Sequence, residues 1–376
     1  MGVPASIGSA VDSAALQSEF GTNMVVPDID CRQRAVAHAK DFLHSRSDER
    51  GVPRAEVSLS PAMDTVCHAG DGRRVLLREF GRDIGFDLGD ERFSASLALA
   101  HVPYEQSGRD RELVERLAEV VWSGRDDRNR FGFFFDRNGF PADSDCTAMA
   151  VGALHDRGLI SDSELVGFGR ELLAAGVLPD AAEPSNATAI RPGVVMVYWQ
   201  DRSDPGALTR GPRYDAVACA NALYILRHAQ VRGLDDPAGI ISATTDYVID
   251  HLMSGRFREG TRYYPRPEPF LHSVSRLCAA FPDIAAICRA ALSDGLADAG
   301  EAERLSALDL ALTVIAADNL GGDHEQPRRR TELLARQDEA GGWPAGAYYR
   351  MGRLPLYWGS AALTSIFAAG ALACDR

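Results

Sequence analysis

Apolar positions recur at helical spacing along most of the chain, and the helices they predict are of two kinds. Arg111 to Trp122 carries Leu113, Leu117, Val120 and Val121 on one face with charges between them, which is the pattern of a half-exposed helix. Ala148 to Leu154 carries no charge, Tyr214 to Arg227 is apolar on nearly every face, and Ser360 to Leu372 is again uncharged. A helix without a polar face is buried on all sides. Further one-sided helices are predicted from about Cys31 to His44 and after Ser161, where Ser161 and Glu164 form a capping box ahead of Leu165, Phe168 and Leu172. Later ones are expected near 240–253, 269–280, 283–293, 302–317 and 329–338. Ser60 to Thr65 is expected to start another helical piece, and Arg46 to Arg54 reads as a charged loop.

Strand signals are few. Uncharged helices alternating with one-sided ones fit two concentric rings, so the fold expected is an all-α (α/α) barrel of about six helix pairs. No linker of suitable length and composition interrupts the helices. Residues 1–28 are small and polar with little periodicity and are expected to be a loose arm, leaving 29–376 as one barrel domain. No uncharged stretch reaches about 18 apolar residues, so none is expected to span a membrane.

Chemistry concentrates where the loop Phe131 to Pro141 meets the uncharged helix. Asp143, Ser144, Asp145 and Cys146 stand at that junction. As residues alone, Asp143 and Asp145 read as a cap and a favourable charge at a helix N-terminus. Their order says more. Asp143-Ser144-Asp145-Cys146-Thr147-Ala148 resembles the D-x-D-D-T-A acid motif of class II terpene cyclases, and Ser144 to Ala148 is similar to the S-D-C-T-A of oxidosqualene cyclases. Near the other end, Gln337-Asp338-Glu339-Ala340-Gly341-Gly342-Trp343 matches the Q-x-x-x-G-x-W repeat of the same superfamily. The two motifs come in the family's order.

The resemblance implies a protonation-initiated cyclase or isomerase acting on a small apolar isoprenoid or polyene. Asp145 would be the general acid, Asp143 would tune its charge, and Cys146 and Cys219 would be its hydrogen-bond partners. The acid in the family is supported by a His or Cys roughly 75 residues further on, the distance at which Cys219 lies. Asp215 is expected at a second helix N-terminus of the same mouth. Phe134, Trp199, Tyr264, Tyr357 and Trp358 are expected to line it, aromatic faces being suited to cations, and His272, one turn after Glu268, to stand at its entrance. The family usually sets its site between two barrels and this chain has length for one. The site is therefore expected to be open, completed by a homodimer or partner protein, or adapted to a smaller substrate. A hydratase, dehydratase or lyase on the same barrel, and a non-catalytic binding protein, are the alternatives.

Composition narrows the partners. The 376 residues carry a formal net charge of −13, and no basic run is longer than Arg328 to Arg330, which argues against nucleic acid. Lys40 is the only lysine. The seven cysteines are scattered, with no C-x-x-C, which fits reduced thiols in a cytoplasm. No D-D-x-x-D or N-D-x-x-S-x-x-x-E appears, so no metal or other cofactor is expected. Magnesium would enter only with a diphosphate substrate.

Overall fold

The computed structural model describes residues 29–106, 108–136, 140–177, 190–298 and 302–373. The expected N-terminal arm, 1–28, lies outside them. The helices are α1 (Ile29–Ser45), α2 (Gly72–Phe80), α3 (Phe93–His101), α4 (Gly108–Trp122), α5 (Ser144–Asp156), α6 (Asp162–Ala174), α7 (Pro205–Arg210), α8 (Ala216–Val231), α9 (Ile240–Met253), α10 (Glu268–Ala280), α11 (Pro282–Asp298), α12 (Ala307–Asn319), α13 (Gln326–Ala335) and α14 (Ala361–Ala373).

Six of them, α3, α5, α8, α10, α12 and α14, are buried along most of their length. Each packs against the next in that order, and α14 returns to α3, so they close a ring. The one-sided helices lie outside: α4 on α3, α6 on α5 and α8, α9 on α8, α11 on α10, α13 on α12, and α1 on α14. The ring helices are poor in charge, α3 and α14 carrying none and the others one or two charged residues each, so they present no continuous solvent-facing stripe.

Five of the six inner helices begin with a side-chain acceptor on a first-turn amide; α10, which follows Pro267, has none. Asp143 accepts from the amide of Cys146 at 2.7 Å, Asp215 from Val217, Ser306 from Asp309, Ser360 from Leu363, and the Glu91 carboxylate from Ser94 at 2.9 Å. Each satisfies an amide that the first turn would otherwise leave without a partner inside the core. At the opposite end Arg157 donates to the carbonyls of Leu99 and Val102, tying the end of α5 to the end of α3. In the Gln337 motif, Gln337 donates to the carbonyls of Ala35 and Gly341, both at 2.9 Å, while the buried Trp343 donates to Leu333 at 2.7 Å. That one turn joins α13 to α1.

Two expectations are corrected. Ser60 to Thr65 is not helical; it is the turn between β1 (Glu56–Ser58) and β2 (Cys67–His68). Its Ser-Pro start is as good a turn signal as a helix signal. The helix expected at 302 begins at Ala307, behind a short 3₁₀ turn. The sequence pattern also missed β3 (Gly346–Arg350) and β4 (Tyr357–Ser360), which join β1 and β2 in an antiparallel sheet of order β2-β1-β4-β3. Every residue of β3 but the last is buried, so the strand lacks the alternation that announces a half-exposed one. A register shift between Ala347 and Tyr349 lets Tyr348 and Tyr349 both pack inside.

The sheet depends on a close approach of two glycines. A Cβ on Gly359 would lie 1.9 Å from the carbonyl oxygen of Gly346. Gly359→Ala is therefore expected to lower unfolding stability by about 2–4 kcal/mol in denaturant titration. Gly167→Ala, in helix α6 with no atom near the added methyl, should leave stability unchanged or raise it by up to about 1 kcal/mol. Equal effects at the two positions would contradict the packing described.

Candidate active site

The ends of the inner helices nearest their caps, and the segments leading into them, surround one cavity. The cavity and the solvent-open space at its mouth together amount to about 580 Å³. Phe93 comes from the start of α3, Asp143, Asp145 and Cys146 from α5, and Ala218 from α8. Tyr263 and Tyr264 come from the segment before α10, and Tyr349, Arg350 and Trp358 from the sheet. Phe133, Phe134, Phe140 and Tyr198 complete an aromatic lining. Its rings meet edge to face, as Phe133 does with Phe134 at 4.7 Å and with Trp358 at 6.2 Å, while Tyr349 and Trp358 stack at 5.6 Å. Such contacts fix the walls before any ligand arrives.

Asp145 is the central polar group. It is partly accessible and faces this cavity. The hydroxyl of Tyr264 donates to Oδ2 at 2.5 Å, and the side-chain amide of Asn221, one turn into α8, donates to Oδ1 at 2.9 Å. Burial pushes the Asp145 carboxyl up to about 7, helped by the charge of Asp143, against the pull of Asn221 and Tyr264. Asp143 is itself raised to about 6 by burial. Burial, then the Asp143 charge, pushes the Cys146 thiol up, so it stays neutral. Two adjacent raised carboxyl groups titrate as a pair, with the first proton lost from either.

The structure brings Asp143, Asp145, Cys146, Phe134, Tyr264 and Trp358 together on the cavity. Five other expected residues lie elsewhere, each for a visible reason. Cys219 donates to the carbonyl of Val195 at 3.2 Å and makes no bond to Asp145; Asn221, two residues on and so on the other side of α8, is the residue that meets the carboxyl group. Asp215 is spent on backbone amides, those of Val217 and Ala218 at the start of α8 and that of Tyr263 at 3.1 Å, and so it positions the Tyr263–Tyr264 segment. Trp199 turns outward, donating to Glu171 with the Arg130 guanidinium over its ring at 4.5 Å. Tyr357 stands next to Trp358 in β4, and alternation along a strand gives the cavity face to the tryptophan. His272 lies deeper in the ring, against His101 at 5.1 Å and Phe367, where burial holds it neutral at about 3. Glu268, its carboxyl pushed up by burial and by the charge of Asp309, is also off the cavity.

Asn221, Phe93 and Phe140 were not anticipated. The one signal for Asn221 was a carboxamide within the apolar run from Ala216 to Leu226. Among the described residues no three of His, Cys, Asp and Glu are grouped to hold a metal ion, and no helix is long and apolar enough to cross a membrane.

Comparison with known proteins agrees with this geometry. No family model matches the chain. Over 166 residues it is 32% identical to the drimenol cyclase drtB of Aspergillus calidoustus, a match covering 43% of this chain and 28% of that relative's length. The type II terpene cyclase MstE from Scytonema superposes with a TM-score of 0.58 at 13% identity, over 92% of this chain and 98% of that one. A variant of it in complex with its substrate, geranylgeranyl dihydroxybenzoate, gives 0.58 at 14% identity, over 93% and 98%. The fold is that of the type II terpene cyclases, as the resemblance in sequence implied.

The raised Asp145 has a consequence for stability. Between about pH 4 and pH 7 the folded protein keeps a proton that the unfolded chain has released, so stability falls as pH rises through that window and levels off above it. Asp145→Asn removes this component. The fall from pH 4 to pH 8 should shrink by about 2–4 kcal/mol, Asp143, Glu91 and Glu268 supplying what remains. Superimposable stability-against-pH curves for the two proteins would show that the Asp145 carboxyl is not raised.

Proposed function

We propose that the protein is a class II-type terpene cyclase, with Asp145 protonating an alkene of an isoprenoid to start cyclisation. The observation that carries the reading is the position of Asp145: a carboxyl group raised to about 7, facing an aromatic cavity, with a protein donor on each oxygen. The neutral acid is well populated near neutral pH, and its proton occupies one of the oxygen lone pairs left over by Asn221 and Tyr264. When the proton passes to carbon, those two donors and the positive end of α5 stabilise the carboxylate left behind. The cation formed meets the faces of Phe133, Phe134, Tyr349 and Trp358, which attract positive charge, and a wall of aromatic carbon keeps water from quenching it early.

Similarity to the drimenol cyclase and to a cyclase solved with a prenylated substrate supports the isoprenoid class. The described cysteines are free thiols, which supports a reducing compartment such as the cytoplasm. The open side of the cavity leaves room for a second copy of the chain or a partner to cover it.

Asp145→Asn is expected to fold and to lose at least about 10²–10⁴ of turnover. Wild-type turnover should decline as pH rises through about 7. Asp143→Asn keeps a good helix cap but removes the neighbouring charge, so the decline should move to lower pH. Product chromatography across pH, with a chelator present throughout, checks all three, and turnover should persist in the chelator. Wild-type rates in Asp145→Asn would end the acid mechanism. Label from ¹⁸O water in the product would mark a hydrating outcome, for which the Tyr349 hydroxyl and Trp358 indole N–H, both without a protein partner, are placed on the wall.

A further inference from the structure

Helices α10 and α11 form a tight hairpin with Phe281 alone between them. The first belongs to the inner ring, the second lies outside it, and the two pack against each other. Each contributes a buried cysteine to the seam, Cys278 near the end of α10 and Cys288 in α11. The two thiols are hydrogen-bonded to one another, Cys278 donating and Cys288 accepting. Thiols that already hydrogen-bond face each other, which is the first geometric condition for a disulfide. Other described cysteines are placed differently. Cys146 spends its thiol on Asp143 and Cys219 on the carbonyl of Val195, while Cys31 stands on the surface and accepts from Arg34.

A solvent-open concavity lies over the seam. Cys278, Ala279, Pro282, Ala285, Ala286 and Arg289 line it, and their small side chains leave the Cys278 sulfur at its base. Cys288 is fully enclosed and does not reach the opening. Arg289 donates to the carbonyl of Leu320 at 2.6 Å, which holds its positive charge beside the concavity. The bond to Cys288 and burial push the Cys278 thiol up, and the Arg289 charge partly offsets them. The same bond pulls Cys288 down from the usual thiol range, against its own burial. A lone buried thiol is inert; here one thiol is reachable and the other is its ready-made partner.

We propose that Cys278 and Cys288 are a redox modification site, closing a disulfide across the α10–α11 seam when the protein meets a low-molecular-weight disulfide and reopening it in excess thiol. The pair loses a proton, and the thiolate of Cys278, reached from the concavity, attacks one sulfur of the reagent RS–SR. A Cys278–S–S–R bond forms, the reagent's S–S bond breaks, and RS⁻ leaves. Cys288, the more readily deprotonated of the two, then attacks the Cys278 sulfur and expels the second RS⁻. Two cysteine thiols are oxidised to one disulfide, and the reagent is reduced to two thiols that take up both protons. The bond ties the inner ring to the outer one at the end of α10 away from Asp145, and the proposal is independent of the cyclase reading.

One peptide reads the outcome. Trypsin cuts after Arg276 and Arg289, so residues 277–289 carry Cys278 and Cys288 together. The folded protein is incubated with oxidised glutathione at mildly alkaline pH, its remaining thiols are alkylated in denaturant, and the digest is weighed. The wild-type peptide should be lighter than the reduced, unalkylated peptide by two hydrogens and carry neither glutathione nor alkyl group, and dithiothreitol should restore both thiols. In Cys288→Ser, glutathione should stay on Cys278, because no thiol resolves the mixed disulfide. In Cys278→Ser, the enclosed Cys288 should take up glutathione about tenfold or more slowly than Cys278 does in Cys288→Ser. A wild-type peptide that remains doubly alkylated while the exposed Cys31 acquires glutathione would overturn the proposal, as would closure seen only when the oxidant is added in denaturant. Glutathione retained on Cys278 in the wild type would overturn it too. The wild-type peptide decides the matter even if a serine variant fails to fold.

Discussion

Both oxygens of Asp145 are held by hydrogen bonds from separate parts of the chain, Asn221 in α8 and Tyr264 before α10. The rest of the site follows from satisfying that one carboxyl group. It starts α5 behind the Asp143 cap, so α5, α8 and the approach to α10 must meet at a common end of the ring. Asp215 secures the third member of this set, capping α8 with one oxygen and holding the Tyr263 amide with the other. The acid is therefore positioned by helix ends, whose geometry is set by backbone hydrogen bonds, and not by mobile side chains alone.

The same arrangement produces opposing electrical effects. Burial and the Asp143 charge favour the neutral acid, while the helix N-terminus and two donors favour the anion. A proton donor needs both: a proton present at neutral pH and a stabilised base once it has gone. In the proposed reaction the aromatic wall would meet the third requirement, a surface whose ring faces attract a cation.

Much of the fold was legible because helices with long uncharged runs have only one place to go. The inner ring, its alternation with one-sided helices, the Ser161 capping box and the Asp143 cap all follow from local pattern. The sheet was not legible: β3 is covered on both faces and shows no alternation, and its closest contact joins two glycines that carry no side-chain signal. In the site, Asp143, Asp145 and Cys146 were readable because they are adjacent and ordered. Asn221 and Tyr264 lie 76 and 119 positions from Asp145, a separation that no local pattern spans. Distance along the chain alone points to Cys219 as the partner; the helix places Asn221 at the carboxyl group instead and turns the thiol toward Val195.

The central claim is that Asp145 carries a proton at neutral pH, and infrared difference spectroscopy reads that directly. Spectra of the wild type and Asp145→Asn, recorded from pH 5 to pH 9, isolate the carbonyl band of this one protonated carboxyl. The structure predicts a band present at pH 6, lost with a midpoint near 7, and shifted downward in Asp143→Asn. A band that disappears near the ordinary carboxyl value of about 4, or no difference between the two proteins above pH 5, would contradict the account.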